Sequence, residues 1–166
     1  MNTQQFVQHF ENTFDENGRR LILEFFISFS RFEFALKAEN FVLGVDRINA
    51  DWDRFIGSII FNPNATPELQ DAVEYILQNP PKVQSIRNNV IVWNDRIFSP
   101  NTSDVLKLRY HITDIRNNLF HCGKFNGTFE PENSRNYQLV NGALQILNNW
   151  LTLDQNVHHQ FSRHIN

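Results

Sequence analysis

The sequence predicts an all-α fold, a single-domain bundle of about five or six helices. Apolar residues recur three and four positions apart over most of the 166 residues, which is the period of an amphipathic helix. No charge run and no linker rich in glycine and serine divides the chain. Hydrophobic residues make up 41% and charged residues 20%, which excludes a disordered acidic chain and a coiled-coil rod.

The N-terminal part of the chain carries the pattern of two helices. Phe6, Phe10 and Phe14 are four residues apart, so they share one face of a short opening helix. Residues 15–18 contain two acidic residues, an asparagine and a glycine, which fits an exit turn. A long helix is predicted over residues 19–44. Its apolar stripe consists of Ile22, Phe25, Phe29, Phe32 and Leu36.

Two further helices and one ambiguous segment follow. Residues 52–60 have apolar side chains at helical spacing, and the Asn-Pro pair just beyond them stops this third helix. A threonine cap at Thr66, with a proline in the first turn, starts a fourth helix that ends before residues 80–81. Residues 82–99 fit either a short strand or a buried helical turn, because periodicity over the four residues VIVW does not decide.

The C-terminal part of the chain predicts two more helices. Residues 101–104 cap a helix that runs to about His121, and Gly123 suits the position just past its end. A polar loop over residues 124–133 leads to the last helix. The apolar stripe of that helix ends at Trp150.

These elements are expected to form one domain over residues 1–166. Its core covers about residues 19–152, and the polar residues 153–166 are expected to fray. The histidines of this tail, including the pair His158 and His159, are interpreted as part of the frayed segment rather than as metal ligands. The sequence therefore predicts no metal site.

Composition also limits the cellular compartment and the binding partners that we expect for this protein. The single cysteine, Cys122, allows neither an internal disulfide nor a zinc site built on cysteines. No run of about 18 apolar residues spans a membrane, and the polar N-terminus lacks the pattern of a secretory signal. We therefore expect a cytoplasmic protein. Its net charge of −3 gives no global basic field, so a nucleic-acid partner would need a local patch.

The chemically informative stretch is IRNNLFHCGK, residues 115–124. On a helix, Asn117 and His121 are four residues apart and share a face, so the amide can orient the imidazole. Arg116 lies roughly 140° around the axis from His121, so one straight helix does not bring the two together. They converge if the last turn unwinds, or if a second copy of the chain supplies the facing residue.

This stretch resembles the R-x-x-x-x-H signature of HEPN domains, small all-helical domains of bacterial toxins, defence systems and RNA-processing enzymes. Residues 29–38 (FSRFEFALKA) are similar to the long first core helix of the bacterial branch. The resemblance covers about residues 19–150 in helix count and order. The sequence departs from the commonest form at Cys122, where many members have glycine.

The resemblance implies a metal-independent endoribonuclease without a cofactor. Arg116 and His121 would be the catalytic pair, with Asn117 as the polar residue that follows the arginine. A histidine suits proton removal from the 2′-OH near neutral pH, and a guanidinium suits the charge on the phosphorane. The products would be a 2′,3′-cyclic phosphate and a 5′-OH. Lys124 is expected to hold a flanking phosphate, and Glu33 to reach the same pocket.

The resemblance also implies partners. The protein would cleave an RNA substrate as a homodimer with a composite active site. It would serve as a toxin or an anti-phage effector, with an antitoxin or another regulatory partner. No membrane is involved in this interpretation.

Residues 86–89 provide an internal comparison. They repeat the start of the motif, IRNN, in an uncertain segment of the chain. The fifth position after Arg87 is Val92 and not histidine, so no chemistry is assigned to this copy.

Four other interpretations stay open. A non-catalytic HEPN module could bind a nucleotide, an RNA or a partner protein, and the chain could also be a purely structural helical domain. Arg116, Asn117 and His121 could form an ordinary solvated helix end, where a histidine is favourable near the negative pole of the dipole. Glu33, four residues before Lys37, could form a surface ion pair.

Overall fold

The computed structural model describes residues 2–120 and 134–163. These residues form seven α-helices and two small antiparallel sheets. The helices are α1 (Thr3–Thr13), α2 (Glu16–Ala38), α3 (Trp52–Ser58), α4 (Pro67–Gln78), α5 (Asp104–Phe120), α6 (Arg135–Thr152) and α7 (Gln155–Ser162). The strands are β1 (Val42–Leu43), β2 (Asn49–Ala50), β3 (Val83–Arg87) and β4 (Val90–Asn94). The described residues are mostly helical, as predicted. The prediction of a purely α-helical fold is wrong, because the structure also contains two β-hairpins, each inserted between two helices.

Helix α6 lies at the centre of the core. Nine of its 18 residues are buried, and it packs against α2, α4, α5 and α7. The buried side chains are contiguous with those of the surrounding helices, α3 included. Trp150, near the end of α6, is completely buried. Burial of this much apolar surface is the main favourable contribution to folding.

Aromatic rings join α2 to α3. The predicted α2 stripe is largely confirmed, since Phe25, Phe29 and Phe32 are all buried. The ring of Phe32 lies 5.0 Å from Trp52 and 5.3 Å from Phe55, centroid to centroid. Tilted and edge-on aromatic pairs at such distances add to the free energy gained by burial.

Two predicted boundaries of α2 are wrong. The residues expected as an exit turn begin α2 instead, because the Asp15 carboxylate caps it and accepts the Gly18 N–H at 2.7 Å. The helix ends at Ala38 rather than near residue 44. Asn40 adopts a left-handed conformation (φ 61°), and the N–H groups of Asn40 and Phe41 bond back to the last helical carbonyls. This is a Schellman-type ending, in which asparagine tolerates the positive φ.

The ambiguous segment 82–99 contains the hairpin of β3 and β4. Asn88 and Asn89 both have positive φ, 52° and 60°, as a two-residue type I′ turn requires. Ile86 pairs with Ile91 across the hairpin, and both side chains are exposed. The turn residues and the β-branched run after them therefore select the strand over the helical alternative.

The prediction of a frayed C-terminal tail is wrong for residues 154–163. Asp154 caps α7, and its carboxylate accepts the N–H groups of Asn156 and Val157. Val157 is completely buried. The Arg31 guanidinium on α2 donates to the carbonyls of Phe161 (2.8 Å) and of Gln160 (3.0 Å). These contacts fix α7 against α2.

Arg31→Ala is expected to destabilise the fold through α7. The substitution removes hydrogen bonds from a charged donor, so the free energy of unfolding should fall by about 1–3 kcal/mol. Urea unfolding measures this loss, and amide hydrogen exchange should rise in α7 before other helices. Arg20→Ala, an exposed arginine of the same helix, is the control. Equal stability of the two variants would contradict the role of Arg31.

Candidate functional site

Two of the predicted site residues lie near the C-terminal end of α5. Arg116 and Asn117 are both half-buried, and the Arg116 Nη1 donates to the Asn117 Oδ1 at 3.0 Å. Leu108, Ile112 and Ile115 of the same helix are buried in the core, as their spacing predicts. Asn117 therefore orients the arginine.

The other half of the predicted motif is not described. His121, Cys122, Gly123 and Lys124 lie outside residues 2–120 and 134–163. The hydrogen bond between Asn117 and His121 accordingly stays a prediction, as do the roles of His121 and Lys124.

An aromatic pair links Arg116 to the predicted residue Glu33. The Arg116 guanidinium carbon lies over the Phe29 ring, 5.7 Å from its centroid. Phe29 in turn contacts Trp52 at 5.3 Å, and the Trp52 Nε1 donates to the Glu33 Oε1 at 3.4 Å. We call these residues, together with Asn117, the Arg116 cluster. It gathers side chains from α2, α3 and α5.

Glu33 does not form the ion pair with Lys37 that the sequence suggested. Among the described residues, Glu33 forms no salt bridge with Lys37, although the two are four apart on α2. Its carboxylate instead accepts from Trp52. The structure therefore brings Glu33 and Arg116 to the same aromatic pair.

A second, ionic group on α5 was missed by the sequence analysis. Arg96 donates to both carboxylate oxygens of Asp114, at 2.7 and 2.6 Å, and Asp114 is only 3% exposed. This hydrogen bonding raises the pKa of Arg96 further, although burial opposes the effect. The Asn118 Nδ2 donates to the Lys82 carbonyl at 2.8 Å. Both contacts hold the segments flanking the β3–β4 hairpin against α5.

The ionic group continues to α3 through Tyr110. The guanidinium carbons of Arg96 and Arg109 lie 5.1 and 4.4 Å from the Tyr110 ring centroid. The Tyr110 hydroxyl donates to Asp53 at 3.0 Å, and the same carboxylate pairs with Arg109. The bond to Asp53 is the main cause that raises the pKa of Tyr110, followed by burial. Helix α5 is thus anchored on the side away from α6.

One signal in the sequence could have revealed this group. His111, Asp114 and Asn118 follow each other at helical spacing, next to the apolar stripe of α5. Polar residues that recur with the period of a buried face are candidates for internal hydrogen bonds. All three are buried in the structure.

His111 is buried in its neutral form. Its ring packs edge-on against Phe98 at 5.2 Å, and its Nδ1 has no hydrogen-bond partner in the described part of the chain. Burial lowers the pKa of His111 to about 4; Asp114 opposes this shift, whereas Arg96 and Lys107 add to it.

Comparison with protein-family models, with curated protein sequences and with solved structures finds no match. In residues 2–120 and 134–163, no three histidine, cysteine, aspartate or glutamate side chains are placed to hold a metal ion together. No described helix combines the length and the apolar character that crossing a membrane requires. The assignment of a function therefore depends on the chemistry of the Arg116 cluster and of the residues that follow it in sequence.

The free energy of unfolding should decrease at acidic pH because His111 titrates differently in the folded and unfolded chains. Between pH 6.5 and about 4, the unfolded chain binds a proton at this histidine that the folded chain does not bind. The free energy of unfolding therefore decreases as the pH falls through this window. His111→Gln should flatten that part of the profile, measured by urea unfolding at successive pH values. His158→Gln, the same substitution at an exposed position, is the control. Identical slopes for wild type and His111→Gln would contradict the assignment.

Proposed function

We propose that this protein is a metal-independent endoribonuclease of the HEPN type, with Arg116 and His121 as its catalytic pair. The observation that carries the proposal is the placement of Arg116 at the end of a core helix. There Asn117 and Phe29 orient its guanidinium. An arginine held in this way is preorganised for a phosphate, since donors that need no reorganisation stabilise developing charge best.

The proposed reaction is an internal transesterification. His121 removes the proton of the 2′-OH, and the oxygen attacks the adjacent phosphorus. Arg116 donates hydrogen bonds to the non-bridging oxygens as negative charge develops on them. The bond to the 5′-oxygen breaks, and this oxygen takes up a proton to become a 5′-OH. The other product is the 2′,3′-cyclic phosphate, so neither a metal nor a cofactor takes part.

The remaining predicted residues have supporting roles in this proposal. Asn117 fixes the direction of Arg116 through the 3.0 Å hydrogen bond. Glu33 contacts substrate from the far side of the Phe29–Trp52 pair, where its carboxylate already accepts from Trp52. Lys124 holds a flanking phosphate.

The active site is composite in this proposal, and two copies of the chain build it. Arg116 of one copy faces His121 of the other, because the two positions diverge on a single helix. An apolar face of α2 supports the presence of a second copy. Leu23, Ile27 and Phe34 share this face and are 59%, 56% and 48% exposed. Such a protein would act in the cytoplasm as a toxin or anti-phage effector, restrained by an antitoxin or another regulatory partner.

The second candidate function is that of a non-catalytic module that binds a nucleotide, an RNA or a partner protein. The observation that favours it is the engagement of Arg116 within its own chain, half-buried between Asn117 and Phe29. The RNA-cleavage experiment described next distinguishes the two functions.

Wild-type protein is expected to cleave labelled RNA in EDTA and to leave a 2′,3′-cyclic phosphate. His121→Ala should lower the rate by about 10²–10⁴-fold, because it removes the general base. Arg116→Lys should lower it by about 10²–10³-fold, since an ammonium cannot make the bidentate contact. His158→Ala, in the exposed part of α7, is the control and should cleave normally. Full activity of His121→Ala would overturn the mechanism, and no cleavage of tRNA, mRNA or rRNA by wild type would favour the binding module.

The composite site is tested by mixing two inactive variants. If Arg116 and His121 act across the dimer, one site in each mixed dimer is intact. Arg116→Ala mixed with His121→Ala should then recover up to about a quarter of wild-type activity. Ile27→Asp should give a monomer, detected by sedimentation, with its fold retained because this side chain is exposed. An active monomer, or a mixture without activity, would show that each chain carries its own site.

A further inference from the structure

The β3–β4 hairpin extends away from the body of the protein. Every residue from 85 to 91 is exposed, whereas Val83 and Gln84 near the base are half-buried. We call residues 85–91 the hairpin tip. Each strand has five residues and is about 16 Å long, so the end of the tip lies about that far from the base.

The backbone of the hairpin tip is preorganised although it is exposed. Asn88 and Asn89 both have positive φ, which closes the tight two-residue turn. Ile86 and Ile91 lie directly opposite each other beside this turn, and a cross-strand pair of β-branched side chains stabilises a hairpin. The residues between them are therefore held in one arrangement before any partner binds.

The hairpin tip carries a positive charge without a counter-ion. Arg87 is the only charged residue between positions 83 and 94. In the part of the chain that the structure describes, its guanidinium has no hydrogen bond and no ion pair. Lys82 and Arg96, which flank the hairpin, differ because each pairs with an aspartate. Arg87 is thus an uncompensated cation on a chain whose net charge is −3.

The two residues after Arg87 add hydrogen-bonding groups. Within residues 2–120 and 134–163, the amides of Asn88 and Asn89 have no hydrogen-bond partner. Each amide offers two N–H donors and an acceptor oxygen, and the guanidinium adds five N–H donors. Arginine and asparagine side chains are among those that bind the phosphates and sugars of nucleic acids. Charge complementarity therefore favours a polyanion as the partner of the hairpin tip.

The residue types of the hairpin tip also select the form of the nucleic acid. Proteins that hold single strands stack the bases on exposed aromatic rings, and residues 85–91 contain no aromatic residue. Double-stranded RNA is bound instead through phosphates and 2′-hydroxyls across its wide, shallow minor groove. A guanidinium and two amides provide the donors and acceptors for these groups.

We propose that the hairpin tip binds a double-stranded stem of an RNA across its minor groove. Arg87 binds a phosphate, and the amides of Asn88 and Asn89 bind 2′-hydroxyls. Ile86 and Ile91 stiffen the tip beside these contacts.

The base of the hairpin relates this surface to the proposed active site. The Asn118 Nδ2 donates to the Lys82 carbonyl, so β3 starts beside the last turns of α5. Arg116 lies on the same turns. A stem held by the hairpin tip is therefore bound near the end of α5 that carries the proposed catalytic arginine. The inference rests on the proposed function in one respect, namely that the bound RNA is the substrate. The substrate class is then an RNA in which a stem adjoins the cleaved strand.

Fluorescence anisotropy with a labelled RNA stem-loop tests this surface. The full chain with His121→Ala is used, because it leaves the RNA uncut under the proposed mechanism. A stem of about 12 base pairs should bind with a Kd of about 10 µM or tighter at about 100 mM salt. No binding up to about 100 µM would overturn the proposal.

Arg87→Ala in the same chain should weaken stem binding about tenfold. It should also reduce the slope of log Kd against log salt by about 1, because one phosphate contact is lost. The fold should be retained, since the side chain is exposed and has no partner among the described residues. Arg20→Ala removes the same charge from an exposed position of α2 and is the control. Unchanged binding by Arg87→Ala, or equal weakening by Arg20→Ala, would contradict the proposal.

Asn89→Gly separates the amide from the shape of the turn. Glycine adopts a positive φ without strain, so the turn is kept while the side chain is removed. Loss of one hydrogen bond should weaken stem binding about two- to tenfold. An affinity equal to that of the parent chain would exclude this amide from the contact and overturn the minor-groove assignment.

Two further nucleic acids test the assignment to duplex RNA. An unstructured RNA of the same length and a DNA duplex of the same sequence should each bind at least about tenfold more weakly, because they lack the minor groove of an RNA stem. Equal or tighter binding of either one would overturn the assignment. Failure of the stem to bind, with RNA still cleaved by wild type, would refute this inference and leave the proposed function standing. Stem binding that depends on Arg87, without any cleavage by wild type, would support the binding surface and refute the nuclease.

Discussion

The burial of α6 is the constraint on which the rest of the fold depends. Half of its residues are buried, and they include Trp150, whose indole is completely enclosed. A helix that is apolar over so much of its circumference has to be covered on several sides. Helices α2, α4, α5 and α7 provide this cover, and α7 belongs to it although its own apolar content is small. The position of α5 follows from this packing, and with it the position of Arg116.

Part of the surface of α5 is polar, and these polar residues have a structural function. Asp114 and Asn118 bond to Arg96 and to the Lys82 carbonyl, which holds the flanks of the β3–β4 hairpin to the helix. A buried carboxylate is tolerable only with such pairing, and removal of one partner leaves an uncompensated charge. These contacts hold α5 in place, and the Arg116 guanidinium carbon lies 5.7 Å from the Phe29 ring centroid.

Long periodic segments could be predicted from the sequence, and short ones could not. Helices α4, α5 and α6 follow from their apolar stripes, and the Thr66 cap of α4 is confirmed. The tetrapeptide IRNN shows the limit. At residues 86–89 it ends a strand and forms a left-handed turn, whereas at residues 115–118 it continues α5. The β-branched run after the first copy and the apolar stripe around the second decide between the two structures, so the tetrapeptide alone carries no fold information.

The sequence selected the candidate site by residue type, and it did not predict the contacts of those residues. The motif selected Arg116 and Asn117, and helical spacing placed Asn117 away from the apolar stripe, whereas Arg116 follows Ile112 by four residues and lies beside that stripe. Phe29 and Trp52 are distant in sequence, so only tertiary packing brings their rings to the guanidinium. The ring of Phe29 constrains the position of the guanidinium carbon, and the Asn117 oxygen constrains the direction of one N–H. A lysine could satisfy neither constraint in the same way, because its ammonium is a rotating point charge rather than a planar fork. Both contacts therefore depend on an arginine at this position rather than on a positive charge alone.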